Sequence, residues 1–218
     1  MDSAERPQVL LLSLAYWAAF DEIYTTFIDK LSESAQIKRV KNANAAIRFL
    51  EENTPKTILI TDQGLHKKGN KHVLDKVLAY VHSGGTVVVG FHFPNFTEGN
   101  EFEAFFKAFG LSWVFGNYQR TDFQVNPSCT LPANVLPKSL PSPYSMKALH
   151  VDKARPEEKI YVPADGARVQ SHVFPATPIS DSQAAVAGAK IGQGYLFYLG
   201  DVNGEEESTQ VVLRFCGL

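Results

Sequence analysis

Three side chains able to move protons stand where short apolar runs end. Asp62 closes TILITD (57–62), His92 follows TVVVGF (86–91), and Asp201 follows YLFYLG (195–200). An imidazole titrates near cellular pH and can act as a general base, and a neighbouring carboxylate can fix its tautomer and orientation. His92 as base with Asp62 or Asp201 as orienting acid would suit a hydrolase or an isomerase. The competing reading of His92 is structural: a histidine that hydrogen-bonds the turn and holds the strand end. Around these three lie Tyr16 and Trp17 after the first apolar run, Gln63 and His66 after Asp62, Asn95 after His92, and Asn203 and Glu205 after Asp201. Together they form a set of expected contacts to a small polar molecule.

Each of these has an ordinary explanation as well. Aromatic residues such as Tyr16 and Trp17 can stack on a sugar, but after a first strand they more often plug the rim of a core. His66 sits in HKKGN, the pattern of an exposed polar loop. His66, Asp62, His92 and Asp201 have ligand types that suit zinc or manganese but no diagnostic spacing, so no metal and no other cofactor is expected. His72 and His82 read as solvated positions on a helix. Phe102, Phe105, Phe106 and Phe109 recur at helical spacing and should face the core. IGQG (191–194) lacks the Lys-Ser/Thr of a phosphate loop and reads as a hairpin turn. Glu205, Glu206 and Glu207 open a helix, where carboxylates complement the dipole.

The elements that must hold these residues follow from periodicity. QVLLLSL (8–14), QIKRVKN (36–42), TILITD and TVVVGF read as strands. Between them lie helices over 19–34, with Ile23, Phe27 and Leu31 on one face, over 43–52 with Asn42 or Asn44 as cap, and over 72–85. This β-α alternation predicts a mostly parallel sheet covered on both faces, with ligands bound outside the carboxyl ends of the strands. A helix over 101–110 and a short strand over 111–116 extend the pattern. Residues 117–182 are proline-rich and read as turns, extended pieces and edge strands, an excursion within one domain spanning 1–218. Its edges make a homodimer plausible. A hairpin over 184–201 and a helix over 205–216 close the chain.

Composition restricts the partners. Apolar residues are 44% and charged residues 20%, with a net charge of −2 and mixed signs, which offers no footprint for nucleic acid. Two cysteines, Cys129 and Cys216, are too few for a disulfide scaffold, which favours a reducing, cytoplasmic setting. VLLLSLAYWAAF (9–20) lacks the basic leader and cleavage site of a signal peptide, and no run reaches membrane-spanning length.

The N-terminal β/α run, GGTVVVGFHFPNF (84–96) and IGQGYLFYLGDVNGE (191–205) together resemble the class I glutamine amidotransferase-like superfamily, most closely its ThuA-like branch. The resemblance implies a flavodoxin-like three-layer α/β sandwich with an irregular β-rich excursion. Active amidotransferases of this superfamily carry a cysteine at the elbow and a His-Glu pair after a late strand. His92 stands at the cysteine position, and Asp201, Val202, Asn203, Gly204 and Glu205 follow the late strand without a histidine. The resemblance therefore implies a protein that is not a glutaminase. It leaves two functions open: a binder or cysteine-independent enzyme for a polar metabolite such as a carbohydrate, or a non-catalytic interaction module or pseudoenzyme subunit.

Overall fold

The computed structural model describes residues 6–170, 179 and 182–218. The first half forms β1 (Gln8–Leu12), α1 (Ala19–Ile23), α2 (Thr25–Ser34), β2 (Gln36–Val40), α3 (Ala43–Glu52), β3 (Thr57–Ile60), α4 (Lys71–His82) and β4 (Thr86–Val89). Asn42 caps α3 by accepting from Ala45 N at 2.9 Å. The helix expected over 19–34 is two helices, because Tyr24 leaves helical geometry at φ −107° and ψ 24°. The break lets Phe20, Tyr24, Phe27 and Leu31 form the buried stripe, and Ile23, expected on it, is 48% exposed. Three aromatic rings bury more apolar area than the Ile23 alternative, so tertiary packing overrides the simple four-residue spacing.

The second half contains α5 (Phe93–Phe96), α6 (Gly99–Ala108), β5 (Val114–Val125), β6 (Tyr144–Asp152), β7 (Lys159–Pro163), β8 (Val186–Ile191), β9 (Gly194–Leu199) and α7 (Glu206–Phe215). The nine strands among the described residues belong to one sheet, in the order β2-β1-β3-β4-β9-β8-β7-β5-β6. The pairs from β2 to β9 are parallel, and those from β9 to β6 are antiparallel. The sheet is therefore mixed: a parallel half, and an antiparallel half supplied largely by the excursion. Pro127 to Pro143 all fall between β5 and β6, leaving twelve-residue and nine-residue strands on either side free of proline. Pro175 and Pro178 lie outside the described residues.

Because strand side chains alternate, the sheet feeds two apolar layers. Val9, Leu11, Leu59, Val88 and Phe197 pack with Phe20, Phe27, Leu31, Val211 and Phe215 on one face. Leu10, Leu12, Ile58, Ile60, Val87 and Val89 pack with Phe49, Val73, Val77 and the α6 phenylalanines on the other.

The excursion also returns to the parallel half. Leu149 N donates to Gly200 O at 2.9 Å and Val202 N to Lys147 O at 3.0 Å, while Val151 and Ala184 exchange bonds of 2.8 and 3.0 Å. These contacts occupy the outer side of β6, so the edge expected there for pairing with a second copy is taken. They also bring β6 against Asp201.

Candidate functional site

Connections leave β1 towards β2 on one side, while β3 lies on the other, so chain direction diverges between β1 and β3, where an open parallel sheet ordinarily has its crevice. Here that crevice is sealed. Ser13 Oγ and Thr61 Oγ1 are 2.7 Å apart, and Asp62 Oδ1 accepts from Ala15 N at 3.0 Å and Gly64 N at 2.9 Å. A Cβ on Gly64 would come within 2.5 Å of the Leu14 carbonyl carbon, so glycine is what allows the two loops to close. Burial raises the pKa of Asp62, against the lowering by these backbone donors.

The next strand end is the elbow after β4. His92 N donates to Thr61 O at 3.0 Å, and Phe91 adopts φ 62°, in the left-handed region that a bulky side chain rarely enters. Such a conformation costs about 1–3 kcal/mol and persists only where surrounding packing enforces it. That packing is visible: the Phe91 ring lies 4.8, 5.1 and 5.7 Å from those of Phe27, Tyr24 and Phe20. The turn places His92 at the head of α5, enclosed by Trp17, Phe20, Tyr24 and Phe96, each with ring centroid 5.4 Å away. His92 is 3% exposed, its Nε2 has no hydrogen-bond partner among the described residues, and burial lowers its pKa, which favours the neutral ring. Above it, Trp17 and Phe96 are 52% and 48% exposed and meet edge to face at 6.0 Å.

The third strand end follows β9. Asp201 is buried, and its oxygens accept from Asn203 N at 2.9 Å, Gly204 N at 3.3 Å and Glu205 N at 2.8 Å. Burial raises its pKa, opposed by Ser208 and these amides. A cavity of about 10 Å³, on the order of one water, lies between Tyr24, Phe91, Asp201, Glu205 and Ser208. The Tyr24 hydroxyl is buried without a partner among the described residues. From the excursion, Arg120 pairs with Glu205 at 2.5 Å and the Tyr144 hydroxyl lies 3.3 Å from Ser208 Oγ.

The expected residues are thus divided among distinct tasks. Asp62 and Asp201 direct their carboxylates to backbone amides, and no hydrogen bond joins either to His92 among the described residues. The base-and-acid pair expected from the sequence is not assembled, because both strand-end loops use their aspartates to close turns. His66, expected in an exposed loop, is largely buried, with Nε2 3.0 Å from Glu101 Oε2 of α6. Tyr16 donates to Asp21 at 2.6 Å and carries Lys41 over its ring. Asn95 ties the elbow to the β9 loop through Phe91 O and Val202 O, both at 3.3 Å. Gln63 Oε1 is buried without a partner among the described residues, and Asn203 is exposed. Trp17 is not the core plug expected of an aromatic after β1. Among the described residues, no three His, Cys, Asp or Glu side chains come together as metal ligands. No described helix is long and apolar enough to cross a membrane.

Sequence reasoning did not place Tyr24 or Phe91 at this rim, and it read Phe96 only as one of a dense aromatic stretch that could form a partner surface. The aromatic density of FHFPNF was legible, but which rings remain outside depends on the left-handed turn at Phe91, which no glycine announces.

No family model matches the chain, and no curated protein matches it. Solved structures do. A ThuA-like protein from Bacteroides uniformis superposes with a TM-score of 0.63 at 15% identity, covering 98% of this chain and 91% of its own. One from Parabacteroides merdae gives 0.60 at 12% identity, covering 98% and 89%. A β-galactosidase from Bacillus circulans gives 0.56 at 12% identity, where 99% of this chain matches 31% of the enzyme. By fold, the chain stands with the ThuA-like proteins that its sequence resembles.

Proposed function

We propose that the chain is a ligand-binding protein of the ThuA-like branch, with flavodoxin-like layering, and that it takes a small polar metabolite with one flat apolar face. A carbohydrate fits that description. The observation that carries this reading is His92: buried, with a pKa that burial lowers, and without a partner at Nε2 among the described residues, beneath two aromatic rings that are half exposed. An aromatic face stacks on the C–H face of a sugar, and displacement of Trp17 would bring a sugar hydroxyl to the imidazole. Trp17 lies in the irregular segment between β1 and α1, which is suited to such a movement. Binding is favoured over turnover because Asp62 and Asp201 are engaged by backbone amides. The β-galactosidase among the structural neighbours adds a sugar-handling protein in which the fold occurs as a part.

The strained Phe91 supports a second reading, a cysteine-independent hydrolase or isomerase with His92 as base, since such strain gathers at active sites. A thermal-shift screen of sugars, sugar phosphates and amino acids separates these readings from neither being right. A ligand that binds the folded state raises the melting temperature by mass action. The expected result is a shift with at least one sugar, lost in Trp17→Ala and in His92→Phe. Conversion of that sugar to product would favour the enzyme. A flat screen, or a shift retained in both variants, would overturn the rim assignment.

A further inference from the structure

A groove of about 570 Å³ lies away from this rim, beside β2. Lys38, Arg39 and Lys41 bound it on one side, and Ala45, Arg48 and Phe49 on the other. The α3 residues lie three and four positions apart, so they form one stripe of the helix. β2 is the outermost strand of the parallel half. Gln36 N donates to Pro7 O, and Ser13 N donates to Val40 O, both at 2.9 Å. In a parallel ladder alternate residues bond to the same neighbour, so Ile37 and Arg39 direct their N–H and C=O groups outward, away from β1.

The charges around this open edge are mostly positive, with Asp21 near Arg39 and Lys41 and Glu52 in the groove lining. Arg39 is paired with Asp21 at 2.5 Å, and Lys41 sits 3.4 Å from the Tyr16 ring centre. Lys38, Lys41 and Arg48 form no ion pair among the described residues, and Glu52 is the one carboxylate lining the groove. A net charge of −2 makes this concentration of cations a local feature rather than a consequence of composition.

We propose that the groove between β2 and α3 receives an extended acidic segment of a partner protein, added to the sheet as a strand beside β2. The outward N–H and C=O groups of Ile37 and Arg39 supply the ladder, and Lys38, Lys41 and Arg48 supply the preference for Glu and Asp. A second copy of this chain is a poor occupant, since antiparallel pairing of β2 with itself would set Lys38 or Arg39, depending on register, opposite its own counterpart and crowd the like charges of Lys38, Arg39 and Lys41.

The test is fluorescence polarisation with two labelled ten-residue peptides, one alternating Glu and Thr, the other Lys and Thr. The full chain should bind the Glu peptide at least tenfold more tightly, with affinity falling as salt rises. The double substitution Lys38→Glu and Arg48→Glu should reduce that affinity at least tenfold. Ile37→Pro should do the same, because it removes an outward N–H that β1 does not use. Equal binding of the two peptides, or unchanged binding after charge reversal, would overturn the proposal. So would displacement of the peptide by an equal concentration of inorganic phosphate, which would mark a simple anion site. If charge reversal instead turns the chain into a dimer on size exclusion, the cations guard the edge against self-pairing, and the proposal fails.

Discussion

Replacing His92 with Phe keeps the ring volume that Trp17, Phe20, Tyr24 and Phe96 enclose and removes both ring nitrogens. Since Nε2 has no partner among the described residues, this change should leave stability within about 1 kcal/mol or raise it, because the buried polar atom gains nothing where it stands. Trp17→Ala should also be nearly neutral, within about 0.5 kcal/mol, since that side chain is half exposed. Urea denaturation checks both; a loss above 3 kcal/mol in either would mean that the rim is a structural cap. A second histidine, His150, is fully buried, and burial drives its pKa down from 6.5 to about 4 against a raising contribution from Gln183. The unfolded chain binds that proton more readily between those values, so stability is complete above pH 6.5 and falls as pH drops towards 4. His92, also lowered, acts in the same direction. Asp62 and Asp201, both raised, act in the opposite direction from about 3.8 upwards. Between pH 7 and 5 the native chain should therefore lose melting temperature relative to His150→Leu; parallel curves would contradict the assignment. The sequence marked His92, Asp62 and Asp201 as strand-end residues, and the structure puts them there. It could not show that the aspartates would turn to the backbone, because an Asx turn and a catalytic carboxylate need the same residue at the same place.

At the scale of elements, the parallel half was legible because each of its strands is a short apolar run and each helix has a buried stripe. The excursion was less so: proline density suggested turns, extended pieces and edge strands, whereas the prolines from Pro127 to Pro143 gather in one connection and spare the long antiparallel strands β5 and β6. The α1–α2 break was hidden for a related reason, since only the tertiary demand for three aromatic rings under Phe91 distinguishes Tyr24 from Ile23. The seam between β6 and the end of β9 yields a prediction here. A Cβ on Gly200 would lie 2.1 Å from Leu149 O, so Gly200→Ala must part the two segments. The cost should be about 1–3 kcal/mol, in the range of overpacked interiors. Because the seam seats Asp201, amide exchange at Asn203 and Glu205 should quicken in that variant. Native exchange at those amides would show that the loop stands without the excursion.

For the molecule as a whole, the fold agrees with that of the ThuA-like proteins, while 12–15% identity leaves the site to be argued from its own residues. The chain has two tryptophans, and they are well separated in environment: Trp113 is 1% exposed and Trp17 is 52% exposed. Collisional quenching by acrylamide therefore reports almost entirely on Trp17. The most direct test of the rim as a binding site is that quenching, followed during titration with a panel of monosaccharides and disaccharides, in the native chain and in His92→Phe. The account predicts that at least one sugar shields Trp17 from acrylamide in the native chain and that the shielding is lost in His92→Phe. Quenching unchanged by every sugar, or shielding that persists undiminished in His92→Phe, would contradict it.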